Sequence, residues 1–324
     1  MKAKIKDITY FFPEFSETNA DLKRDNPDWD MEKITAKTGI TRRFMSEPDQ
    51  TALDLGHSAA KLMLDKSQHL AEEIDLLILV TQSPDYILPT SACILQERLN
   101  LSHDCMAFDI NQGCSGFVYG LSVAGSLIES KVASKALIIC ADSYTKYIAR
   151  DDRTNRPLFS DAGAATLLVD SKSEDISSFV MGTDGSGHQS LIVRQGGAKE
   201  LNQNDKKILE MKGSEVFLFT MKRIPTAIKQ LLLKEKINIE EIDLFIFHQA
   251  SKLVIDNLTR LMKLNSKKVF RNYEEKGNTV SATIPIALKD ALDQGLIQQK
   301  SKVMIVGFGV GLSWGATILN WDSA

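Results

Sequence analysis

"AEEIDLLILVTQ" at residues 71–82 reads closely against "IEEIDLFIFHQA" at 239–250, with a constant offset of 168 residues. Each copy centres on a short, continuous apolar run, and each is followed by a helix-like segment ending in Leu-Asn, "ACILQERLNLS" in the first and "NLTRLMKLNS" in the second. Further on, "SKALIICADS" (134–143) matches "SKVMIVGFGV" (301–310). A repeat on this scale means duplicated half-domains rather than a solenoid of short units. The polar stretch "DSKSEDISS" (170–178) separates the copies, so the expected halves are residues 1–172 and 173–324.

Uninterrupted apolar runs recur at 76–80, 136–140, 164–169, 244–247, 303–308 and 315–319. Strands of that kind are buried on both faces, as in a sheet sandwiched between helices. Helical periodicity fills the intervals; over 217–232, Phe217, Met221, Ile224, Ile228 and Leu231 fall on one stripe. Strands alternating with helices give an α/β protein. Equivalent strand ends from the two halves then meet around a pseudo-two-fold axis, and crevices outside carboxyl strand ends are where such proteins keep their chemistry.

At 324 residues, 43% of them apolar and 25% charged, the chain has the composition of an ordinary soluble protein. A net charge of −3 argues against a general nucleic-acid or anionic-membrane binder. No apolar run approaches bilayer length and the start "MKAKIKDITYFFPEF" has no secretory pattern, so a cytoplasmic location is expected. The four cysteines, Cys93, Cys105, Cys114 and Cys140, form no CxxC pair and have no histidine at metal-ligand spacing. Free thiols and no metal are expected.

Cys114 stands in "FDINQGCSGFVYGL" (108–121), between a strand-like lead-in and a small-residue helix start. Such a cysteine is either a small packing residue or a nucleophile at a helix N-terminus, where the dipole and free N–H groups lower a thiol's pKa. His248 ends the apolar run "LFIF"; its counterpart in the first copy is Val80, so the second copy carries a polar group where the first carries an apolar one. Asn278, in "GNTVSATIP", reads on its own as a turn residue before a helix that Thr279 or Ser281 would cap. "VGFGVGLSWGATIL" fails the dinucleotide fingerprint: Trp314 stands where the third glycine belongs, and a strand follows. Its glycines instead suit a tight turn exposing backbone N–H groups, as an oxyanion hole needs. "GTDGSGHQS" (182–190) reads as a flexible loop, in which His188 needs no role.

Together these segments resemble the thiolase-fold condensing enzymes, and within them the beta-ketoacyl-ACP synthase III family. "TGITRR" (38–43), "LPTSACILQERL" (88–99), "GCSGFVYGL" (113–121), "FSDAGAATLLV" (159–169), "MKGSEVF" (211–217), "HQAS" (248–251), "GNTVSATIP" (277–285) and "FGVGLSWG" (308–315) occur in the family's order. The resemblance implies a thiolase-like α/β fold, two duplicated βα halves in five αβαβα layers. It implies a Cys–His–Asn catalytic set at Cys114, His248 and Asn278, with an oxyanion hole from the backbone N–H groups of Cys114 and Val310. It also implies ping-pong chemistry without a cofactor: an acyl group passes from acyl-CoA or acyl-ACP to Cys114, then condenses with malonyl-ACP or malonyl-CoA as CO2 leaves.

Substrate contacts fall by the same resemblance on Lys33, Lys37, Arg153, Ser214, Phe217 and Ser251. Leu88 is the residue a homodimer partner lends to the acyl pocket, and acyl carrier protein is the expected macromolecular partner. This chain departs from the family at Lys33 (a tryptophan in many members), Ser251 (asparagine), Leu253 (arginine) and Val310 (glycine). Two other readings accommodate such departures: an acyltransferase of the same fold delivering to an oxygen or nitrogen nucleophile without decarboxylation, and a catalytically silent partner subunit. The survival of all three polar catalytic positions argues against the silent subunit. A papain-like hydrolase would explain neither the repeat nor Asn278.

Overall fold

The computed structural model describes residues 1–66, 70–199 and 208–321. One sheet contains β1 (Ala3–Phe11), β2 (Leu76–Val80), β3 (Met106–Ile110), β4 (Lys135–Asp142) and β5 (Ala162–Asp170), ordered β1-β5-β4-β2-β3. A second large sheet contains β6 (Val180–Thr183), β7 (Leu244–Phe247), β8 (Ser301–Gly309) and β9 (Ser313–Trp321), ordered β7-β8-β9-β6. Read from its far end, the second sheet repeats β1-β5-β4-β2 strand for strand. Pairing senses agree as well: β2 with β4 and β7 with β8 are parallel, while β5 and β9 run antiparallel to both neighbours. The duplication legible in sequence is therefore a duplication of topology. Among the described residues, the edge strand β3 has only a vestige in the second half, one parallel bridge between Phe245 and Val269.

The helices that position the site are α1 (Ala52–Leu64), α2 (Ser91–Arg98), α3 (Gly116–Glu129), α4 (Gly213–Glu235), α5 (Lys252–Leu261) and α6 (Thr283–Asp293). Side chains of β2 alternate between two cores, which is why all five of its residues are apolar and buried. Leu77 and Leu79 join Ala59 and Met63 of α1 and Leu95 of α2. Leu76, Ile78 and Val80 join Phe117 and Leu121 of α3, Ile284 and Leu288 of α6, and Ile246 and Ile305 of the second sheet. On the outer side of that sheet, Phe245 and Phe247 meet Ile224 and Ile228 of α4 and Ile255 and Leu258 of α5. Helices α3 and α6 thus lie between two sheets whose outer faces are covered by the other helices. That is the five-layered αβαβα arrangement.

Three local expectations are corrected. The buried face of α4 is Phe219, Thr220, Ile224, Ala227, Ile228 and Leu231; Met221 packs partly buried at its margin, and Phe217 lies off it because the start of α4 borders a cavity. Residues 182–190 are not a loop but the end of β6 followed by a 3-10 turn, Gly185–Ser190. Asp184 and Leu312 hold that junction, each N–H donating to the other's carbonyl at 2.7 and 3.1 Å. Neither Thr279 nor Ser281 caps α6, since Ser281 is engaged elsewhere.

Its partner is Asp142, wholly buried at the end of β4. The carboxylate accepts the Gln82 N–H that follows β2 (2.8 Å) and the Ser281 hydroxyl from the second half (2.5 Å). Burial, opposed by these bonds from Ser281 and Gln82, raises its pKa to about 7. The native state therefore keeps this proton to higher pH than the unfolded chain, whose carboxyl titrates near 3.8. Its contribution to stability is greatest below that value and is lost as pH rises towards about 7. Urea midpoints measured from pH 4 to pH 8 should fall through this window for the wild type, and fall visibly less for Asp142→Asn.

Candidate active site

Strand β3 delivers the chain to a turn at residues 111–115, and α3 leaves it in the reverse direction. The Gly116 N–H donates to the Gly113 carbonyl at 2.7 Å, which holds the turn tight. At Gly116 a Cβ would stand 2.3 Å from the Val80 methyl, so only glycine lets α3 start this close to β2. Cys114 sits inside the turn and is 5% exposed. From the other half, the β8–β9 hairpin closes over it; a Cβ on Gly309 would lie 3.0 Å from both Cβ and Sγ of Cys114.

The thiol is not in the electrostatic state that a helix N-terminus suggests. Burial first, and the nearby Asp142 second, raise it well above the ordinary thiol range. Helix α3 begins two residues beyond Cys114, and removing the sulfur from water outweighs what that terminus offers. Cys114 rests as a thiol.

His248 follows β7 and extends its parallel ladder, the N–H donating to the Val306 carbonyl at 2.8 Å. Its ring is 2% exposed, edge-on to Phe308 with centroids 5.5 Å apart, and its Nδ1 lies 2.7 Å from the Thr283 hydroxyl. Burial lowers its pKa to about 3, so the imidazole is neutral throughout the physiological range. Asn278 is pinned by its backbone between Leu158 and Ser160, at 2.9 Å on each side. Its Oδ1 accepts the Val280 N–H at 3.0 Å, which leaves the amide Nδ2 as the group to offer a ligand. Val280 achieves this with φ +54°, a left-handed conformation that β-branched residues rarely adopt.

Cys114, His248 and Asn278 line one cavity of about 370 Å³, largely apolar, with walls that include Phe159, Leu191, Met211 and Phe308. Of the other residues singled out from sequence, Lys37, Phe217 and Ser251 also line it. The Ser251 hydroxyl additionally accepts the Val254 N–H at 3.4 Å as the N-cap of α5. Val310 stands in the hairpin turn and packs against the cluster containing Cys114, with its carbonyl held by the Ser313 hydroxyl at 2.7 Å.

Four expected contacts lie outside the cavity. Lys33 points to solvent and pairs with Asp30 at 2.9 Å. Ser214 is exposed on the first turn of α4, whereas Gly213, Val216, Phe217 and Thr220 form the face that lines the cavity. Arg153 is exposed, its neighbour Thr154 taking the wall position. Leu88 is 79% exposed and contributes nothing to the cavity of its own chain. Sequence reasoning missed Thr283 and Asp142; the one signal for each was a polar residue closing or opening an otherwise apolar element.

A duplicated α/β frame with a buried cysteine at a strand–helix turn, faced by a neutral histidine and an oriented asparagine, defines a thiolase-like chain. Family models for 3-oxoacyl-[acyl-carrier-protein] synthase III match residues 108–185, and for its C-terminal part residues 232–321. The chain is 34% identical to the beta-ketoacyl-[acyl-carrier-protein] synthase III of Clostridium tetani, over 99% of this chain and 98% of that one. Against the corresponding enzyme of Clostridioides difficile the identity is 35%, with the same coverage. A 3-oxoacyl-(acyl-carrier-protein) synthase III crystal structure at 39% identity superposes with a TM-score of 0.96, covering 99% of this chain and all of that one. The Aquifex aeolicus synthase III, at 32% identity, superposes with a TM-score of 0.90 over 98% of this chain and all of its own. The chain belongs to the beta-ketoacyl-[acyl-carrier-protein] synthase III family.

The Gly309 contact gives a direct test of the closure over Cys114. Gly309→Val should cut the rate of Cys114 modification by small thioesters at least tenfold, read by intact mass. Circular dichroism should report an unchanged fold, because the atoms an added Cβ meets most closely are the Cβ and Sγ of Cys114 and not backbone.

Proposed function

We propose that this protein is an acyltransferase that performs decarboxylative condensation: it takes an acyl group onto Cys114 and joins it to a malonyl unit. The observation that carries the reading is a neutral histidine and an oriented asparagine amide lining one apolar cavity with a buried cysteine. Cys114 Sγ attacks the carbonyl carbon of an acyl thioester, the donor's C–S bond breaks, and the proton that Cys114 gives up leaves on the released thiol. Backbone N–H groups of Cys114 and Val310 hold the tetrahedral oxyanion. A malonyl thioester then takes the donor's place. As CO2 leaves, the bonding electron pair passes into an enolate whose oxygen accepts hydrogen bonds from His248 and Asn278. C2 of the enolate attacks the acyl carbon, the bond to Cys114 Sγ breaks, and the sulfur takes a proton from solvent to return to its resting thiol.

Burial keeps His248 neutral, and a neutral ring still carries one N–H to donate to the enolate oxygen. The donor is an acyl-CoA or acyl-ACP and the extender malonyl-ACP or malonyl-CoA, no cofactor being needed. Exposed Lys37 and Leu253 flank the solvent side of the cavity, where the thioester arm enters.

In this reading a second copy of the chain completes the acyl pocket. Tyr86, Ile87 and Leu88 are 61, 80 and 79% exposed, an apolar tip too large to leave in water without a partner. The partly exposed β3 forms the edge of the first sheet.

Incubation with a panel of acyl-CoAs should give a mass adduct that disappears in Cys114→Ala. Asn278→Ala should still form the adduct, while CO2 release from malonyl thioester falls by about 100-fold or more. Adduct formation with no malonyl decarboxylation by the wild type would instead favour simple acyl transfer.

A further inference from the structure

We infer that Thr283 is a positioning residue that fixes the tautomer of His248, donating its hydroxyl proton to Nδ1 so that the ring's remaining N–H, at Nε2, is the one presented to the cavity. This deepens the condensing reading above and rests on it for its catalytic consequence.

The hydroxyl of Thr283 lies 2.7 Å from His248 Nδ1 and 3.1 Å from the Val280 carbonyl oxygen. Both side chains are buried, each about 2% exposed. A hydroxyl has one proton to give, and here it lies between the Val280 carbonyl, which can only accept, and Nδ1, which accepts in one tautomer and donates in the other. Donation to Nδ1, the nearer of the two atoms, occupies that nitrogen's lone pair and places the ring proton on Nε2. The opposite arrangement, with the hydroxyl turned to Val280 and accepting from Nδ1–H, would give Nε2 a lone pair and remove the donor that the enolate oxygen needs. A backbone carbonyl or a carboxylate in Thr283's place would force that second arrangement, because neither can donate. A neutral ring carries one N–H, so the choice of nitrogen decides whether His248 donates or accepts.

The segment from Asn278 to Thr283 sets both donors. Val280, in its left-handed conformation, directs its N–H to Asn278 Oδ1 and its carbonyl towards the Thr283 hydroxyl. The asparagine amide and the threonine hydroxyl that faces His248 Nδ1 are thereby both held by one short stretch of backbone.

The test combines histidine-labelled 15N NMR of the free protein with half-reaction kinetics on wild type, Thr283→Val and Thr283→Ser, the His248 signals being assigned with His248→Asn. The wild type should show the Nε2–H tautomer. Thr283→Val should lower the rate of CO2 release at least tenfold while Cys114 acylation stays within about twofold, and Thr283→Ser should recover most of the loss. An Nδ1–H tautomer in the wild type overturns the inference. So does a Thr283→Val protein that releases CO2 at the wild-type rate, or one that loses both half-reactions equally. If Thr283→Val fails to fold, the wild-type spectrum and Thr283→Ser still decide. A wild type that decarboxylates no malonyl thioester would refute the condensing reading instead, and the tautomer would remain readable in the spectrum.

Discussion

The buried carboxyl group of Asp142 is the constraint on which the site depends. It ends β4, takes the Gln82 N–H at the end of β2, and takes the Ser281 hydroxyl from the loop that carries Asn278. One side chain therefore ties two neighbouring strand ends of the first half to the donor-bearing segment of the second. Its fixed position comes at a cost, since a carboxyl group without water holds its proton to about pH 7. The same burial leaves Cys114 a thiol and His248 neutral. All three groups owe their ionisation state chiefly to exclusion of water, and all three sit where the halves meet.

The duplication was legible because its physics is local. Strands covered on both faces must be apolar throughout, and "LLILV" and "LFIF" carry that requirement in their letters. The pairing order β1-β5-β4-β2 against β6-β9-β8-β7 then follows from two copies of one chain path. The loss of β3's counterpart was not legible, for it is a difference in how far backbone pairing extends past Phe245 and Val269. Residues 182–190 have loop composition, yet backbone bonds to Leu312, 128 positions after Asp184, order the junction. No local pattern reports a contact of that separation.

For the site, residue types were readable and environments were not. Cys114 and His248 stood out by their place after strand-like runs and Asn278 by family resemblance alone, and the structure brings all three to one cavity. The thiol's electrostatics went the other way from the local expectation, because a helix terminus is visible in sequence and burial by a hairpin 195 residues further on is not. Lys33, Ser214 and Arg153 missed the cavity by one residue or one helical turn, the error that a motif match leaves when side-chain direction is unknown. Thr283 was overlooked inside a quoted motif, since a threonine at a helix start reads as a cap until its neighbour proves to be a histidine nitrogen. In the condensing reading the halves divide the labour: the first presents the nucleophile, and the second, with histidine where the first keeps Val80, presents the donors.

The most direct measurement follows carbon. A primer acyl-CoA that acylates Cys114 is supplied with malonyl thioester labelled with 13C at C2, and the products are identified by mass and NMR. Condensation predicts a 3-oxoacyl thioester carrying the label at C2, with one CO2 released for each bond formed. Acyl groups recovered on an alcohol or amine, with the malonyl carbon intact, would contradict it.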